Sequence, residues 1–107
     1  MARAGLLRRR ILVEAPVVSR AASGAAVETY AKHAELWARM EQVSSREYQD
    51  AVRRWSAMTA LFTVRWRSDL TEKMRVLHEG RVYRIVGRPY DPADRRDTLL
   101  IPCEEVR

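Results

Sequence analysis

From Met58 onward, apolar residues fall on every second position, and that alternation limits the fold of this chain more than any other feature. Met58, Ala60, Phe62, Val64 and Trp66 alternate with Thr59, Leu61, Thr63, Arg65 and Arg67. Successive side chains of a strand point to opposite faces, so this stretch reads as a strand with an apolar side and a more polar outer side. Ser68-Asp69 ends it. Met74, Val76 and His78 alternate again, Glu79-Gly80 supplies a tight turn, and residues 82–86 return as the second arm of a hairpin. Pro89, Asp91 and Pro92 open a loop, and residues 98–103 make a last strand.

Just before this region the period is that of a helix. Tyr48, Ala51, Val52 and Trp55 stand at i, i+3, i+4 and i+7, while Arg46, Glu47, Asp50, Arg53 and Arg54 lie mostly off that stripe. Ser44 and Glu47 have the spacing of a capping box, so a helix is expected over residues 45–55. Upstream, Ile11-Leu12-Val13 and Val17-Val18 flank Pro16, the pattern of a bent or edge strand near residues 8–18. Ser23-Gly24 marks a turn. Residues 28–43 point two ways. Ala31, Lys32, Glu35, Leu36 and Met40 are strong helix formers, yet Tyr30, Lys32, Ala34, Leu36, Ala38 and Met40 also alternate as one face of a strand. Several short strands around one inserted helix predict a mainly β fold, a small antiparallel barrel or sandwich.

A chain of 107 residues has room for one domain, residues 1–107. Its 20 basic against 14 acidic residues give a net charge of +6, and only Lys32 and Lys73 are lysines. Arginine makes forked contacts to carboxylate and phosphate, which suits an anionic polymer or an ion-paired protein interface, as well as a merely solvated basic surface. The lone Cys103 excludes an internal disulfide and reads as a buried structural thiol. No apolar run approaches the ~18 residues of a membrane helix. The arginine-rich, acid-poor first residues also have the composition of a transit peptide cleaved near residue 20, in competition with the strand reading.

Catalytic patterns are missing. His33 and His78 have no companions at metal-ligand spacing, and four glycines scattered at positions 5, 24, 80 and 87 make no phosphate loop. No metal or cofactor is expected, and the chain reads as a non-enzyme. Of the tryptophans, Trp55 and Trp66 fall on apolar faces and read as core, whereas Trp37 sits off its face and is free to meet a partner.

The order of features along the chain resembles the phage head–tail joining family, also called head closure or stopper proteins. The resemblance rests on Arg8-Arg9-Arg10-Ile11-Leu12-Val13-Glu14 with Pro16, on Leu36-Trp37-Ala38-Arg39-Met40-Glu41 leading into Ser44-Ser45-Arg46-Glu47-Tyr48, and on Phe62-Thr63-Val64-Arg65-Trp66-Arg67. It continues through residues 78–86 and closes with Leu99-Leu100-Ile101-Pro102-Cys103-Glu104-Glu105-Val106. Ser45 stands where such sequences commonly have glycine. The resemblance implies a small β-barrel with one helix in a long connection, and residues 28–43 largely extended.

It further implies a virion protein, assembled in the bacterial cytoplasm into a six- or twelve-fold ring beneath the portal and its adaptor. Such a ring retains packaged double-stranded DNA and docks the tail, with no sequence readout and no membrane partner. It fits an infectious phage and a domesticated gene-transfer particle alike. Arg46, Arg53 and Arg54 are the candidate residues for the DNA-facing channel side. The competing reading is a freestanding nucleic-acid-binding module that uses arginines and tryptophans on a small barrel.

Overall fold

Strand pairing decides the ambiguous segment. In the computed structural model, which describes residues 7–107, the strands are β1 (Arg9–Arg20), β2 (Ala26–Met40), β3 (Ala60–Arg65), β4 (Arg75–His78), β5 (Arg81–Ile85) and β6 (Thr98–Val106). One helix, α1 (Arg46–Arg54), lies between β2 and β3. The strands close a barrel in the order β1-β2-β3-β6-β5-β4, with antiparallel neighbours throughout. Residues 26–40 are extended despite their helix formers, because β1 pairs with them from Arg9↔Ala38 to Arg20↔Ala26. Tertiary pairing overrides a weak local preference.

The alternation expected for β2 breaks once. Val13 faces Ala34 but Glu14 faces Lys32, so His33 is an extra residue, a β-bulge. Leu36 and Ala38 therefore point to the core side while Tyr30 and Lys32 move to the opposite face. The sequence pattern had placed all of them together.

Two clusters hold the described residues together. The barrel interior contains Ile11, Val13, Ala38, Phe62, Val64, Val76, Tyr83, Ile85, Ile101 and Cys103. Outside the barrel wall, Tyr48 and Ala51 of α1 pack with Met58, Leu61 and Leu100. This second cluster corrects the expectation of a polar outer side for β3: Leu61 is fully buried beneath the helix. Thr63, also buried, donates its hydroxyl to the Glu41 carboxylate at 2.6 Å, and Arg39 Nε donates to the same carboxylate at 2.7 Å.

The cap of α1 lies one residue later than the capping-box reading. Ser45, with extended backbone, accepts the Tyr48 amide on its hydroxyl at 3.1 Å. Ser44 is exposed and outside the cap. Ser45→Ala is thus expected to lower stability by about 1 kcal/mol, the usual worth of a serine cap. Ser44→Ala should change it by less than about 0.5 kcal/mol. Urea denaturation of the two variants separates these outcomes.

The β1–β2 hairpin outgrows the barrel. β1 meets β4 only at residues 12–14, and β2 meets β3 only at residues 38–40. The remainder projects as a two-stranded arm that makes the molecule 49 Å long and 27 Å across. At its tip Ala21 donates its amide to the Ala25 carbonyl and Gly24 to the Ala21 carbonyl, each at 2.8 Å. Gly24 takes φ +88° there, a conformation that side chains disfavour. Because β1 supplies Ile11 and Val13 to the core, cleavage near residue 20 would remove a wall of the barrel. The strand reading of this segment holds. The chain's first six residues, which the transit reading also covered, lie outside the described residues.

Candidate interaction surfaces

The arginines of α1 do not form one cluster. Arg46 and Arg53 both lean on Asp50, at 3.8 and 3.6 Å, and all three side chains are more than half exposed. Exposed pairs of this kind are worth little, so both cations remain available to solvent and to partners. Arg54 turns back instead. Its guanidinium lies 4.4 Å over the Trp55 ring and 5.0 Å from the Tyr90 ring. Trp55, the residue that ends the helix, is half-buried against Tyr90 with ring centroids 5.5 Å apart. Its ring also presses on Gly87, where any Cβ would overlap it. Trp55 thus wedges the helix against the barrel, in keeping with its place on the apolar stripe.

A second surface lies where β2 and β3 part. Beyond the Ala38↔Val64 pair the two strands separate, leaving a groove of about 340 Å³ lined by Glu35, Leu36, Trp37, Arg65, Trp66 and Arg67. Trp37 is 54% exposed, and Arg10 stacks 4.9 Å over it. Trp66 is half-buried against the core, with Arg96 5.2 Å over its ring. The carboxylates nearby are already engaged. Glu35 accepts from Lys32 at 2.7 Å and Arg10 at 3.3 Å, and the lysine first, then the arginine, lower its pKa. Asp69 accepts two bonds from Arg67, at 2.8 and 2.7 Å, and pairs with His33 at 2.8 Å. The Arg67 fork holds its carboxyl far below the usual range. Arg65 makes no ion pair among the described residues. Sequence reasoning picked out Trp37 but not this groove, whose two walls come from segments 30 residues apart.

A family model of the phage head completion protein matches residues 2–106. The chain belongs to that family. The head completion fold recurs in a solution structure of protein SF1141 from Shigella flexneri 2a. That protein is 29% identical, with 97% of this chain and 96% of that one covered and a TM-score of 0.75. It recurs again in a chain from the virion of a native gene transfer agent particle. There the identity is 18%, the coverage 99% and 98%, and the TM-score 0.63. A search of curated proteins gives no match.

The head completion family is one of structural virion proteins, and the described residues of this member show no group of three or more His, Cys, Asp or Glu placed to hold a metal. His78 is buried in β4, its ring edge-on to Phe62 at 5.7 Å. His33 sits at the bulge against Asp69. Cys103 is fully buried, and burial pushes its thiol pKa up, away from nucleophilic reactivity. No described helix is long and apolar enough to cross a membrane.

Proposed function

We propose that this head completion protein is a subunit of the ring that joins the DNA-filled head to the tail, closing the portal channel and offering a docking surface. The observation that carries the reading is the family match over residues 2–106. The fold shared with a chain of a gene transfer agent virion supports it. In this reading six or twelve copies sit between the portal or its adaptor and the tail proteins, and double-stranded DNA passes without sequence readout. A closed ring needs two different complementary faces on each subunit.

Arg46 and Arg53 are the α1 cations offered to the channel, with Arg54 holding the helix in place through Trp55 and Tyr90. Duplex DNA carries a negative charge about every 1.7 Å along its axis, so any wall it slides past must attract without trapping it. Asp50 between the two arginines moderates their pull.

Particles assembled without the protein are expected to package DNA, then lose it, and to carry no tails. The cause is mechanical: packed phosphates repel one another and an open portal is an exit. Electron microscopy of deletion particles checks this, and full heads bearing normal tails would refute the assignment. Strong, salt-dependent binding of free DNA by the isolated chain would favour a freestanding nucleic-acid module instead.

A further inference from the structure

We propose that the open edge of β2, with the groove floored by Leu36, Trp37 and Trp66, receives an extended acidic segment of a neighbouring particle protein as an added strand. This rests on the connector reading above and names the partner chemistry of one face.

Among the described residues, the backbone of β2 is free along this edge. The Ala21-to-Ala25 hydrogen bond at the tip fixes the alternation along the arm: Ser19, Val17 and Ala15 of β1 bond to β2. Their neighbours across the ladder, Val27, Thr29 and Ala31, therefore use their backbone groups toward β1. Glu28 and Tyr30 turn theirs outward. Past the bulge at His33 the phase shifts. The Glu41-to-Leu61 bond sets the same alternation from the other end and turns Glu35 outward too. β3 runs beside β2 only at residues 38–40, so these outward groups have no strand next to them among the described residues. An unpaired edge of this length is a template for strand addition.

The β1 edge of a second copy makes a poor occupant. On the other side of the arm β1 is also open beyond residue 14, and a second copy would offer that edge to β2. There, however, the outward position is Pro16, which has no N–H to donate, and Arg20 would bring a further cation. Pairing of the β1 edge of one copy with β2 of another is disfavoured by the proline that blunts that β1 edge.

Charge and surface type select the partner. Lys32 and Arg10 already neutralise Glu35, and Arg67 and His33 occupy Asp69. Arg65 is exposed at the groove with its charge unspent, and Arg96 stands over Trp66. Tryptophan and arginine are the residues most enriched at the energetic centres of protein interfaces. A buried duplex contact would instead leave the exposed Trp37 ring without a base to stack on. The groove thus matches a polypeptide strand with apolar residues on the face toward Leu36 and Trp66, and carboxylates toward Arg65 on the face it shares with Trp37.

The test compares hydrogen exchange of the full chain free in solution and within purified particles. Amides of Glu28, Tyr30 and Glu35 are expected to exchange at least tenfold more slowly in the particle, while Val18 on the proline-bearing edge stays unchanged. A photoreactive benzoylphenylalanine at position 37 is expected to cross-link to an acidic segment of a different particle protein. Arg65→Glu should cut that yield at least tenfold and Arg65→Lys should keep it. Unprotected amides in particles that contain the chain, or cross-links to DNA or to a second copy, would overturn this inference alone. Particles that lack the chain altogether would overturn the connector reading along with it.

Discussion

Phe62→Ala is expected to lower the stability of the isolated chain by about 3–5 kcal/mol. Phe62 is the largest side chain with no exposure, in the middle of β3, and its ring meets the rings of Tyr83 at 5.3 Å and His78 at 5.7 Å edge-on. A closed barrel has its strands pinned on both sides, so the surrounding wall cannot move inward to fill the space. Of the usual ~5–15 kcal/mol total for a small domain, this removes a large share. Val106→Ala, at a side chain that is half exposed, should change stability by less than about 0.5 kcal/mol. Equilibrium denaturation with an unchanged slope measures both, and similar losses for the two variants would contradict the placement of the core.

Gly87→Ala should be damaging for the opposite reason, since it adds an atom where there is no space. The new methyl would overlap the Trp55 ring, which Tyr90 and Arg54 hold from other directions. Overpacking of this kind costs about 1–3 kcal/mol. The glycine has an ordinary φ, so the penalty comes from contact and not from backbone strain. In a Trp55→Ala background the methyl finds room, and the Gly87→Ala penalty should fall below about 0.5 kcal/mol. A double-mutant cycle with strong coupling between these positions is the expected signature, and additive losses would sink the wedge.

The sequence was legible where one face of an element decides its pattern. Phe62 and Val64, Val76 and His78, and Tyr48, Ala51 and Trp55 all sit where their periodicity puts them, because each is read against a single core. Legibility failed where a second layer or a partner strand intervenes. Leu61 and Thr63 looked like an outer face, but α1 covers that face, and nothing local in β3 records the cover. The bulge at His33 is a one-residue slip set by the register against β1, so β2 read alone gives a false face. Ser44 and Ser45 have the same chemistry, and only the backbone geometry chooses which of them caps. For the α1 surface, Arg46, Asp50 and Arg53 lie off the apolar stripe as their spacing placed them, and they pair there. The retreat of Arg54 depended on Tyr90, which the fold brings in from far along the chain.

The burial of Cys103 gives this molecule an internal reporter. The thiol lies in β6, which is held between β3 and β5, and its residue pairs with Ala60 on one side and Ile85 on the other. Fraying of the arm or loss of the helix leaves it covered. A thiol-specific dye therefore reacts only when the barrel itself comes apart, and the labelling rate in native buffer counts those rare openings one molecule at a time.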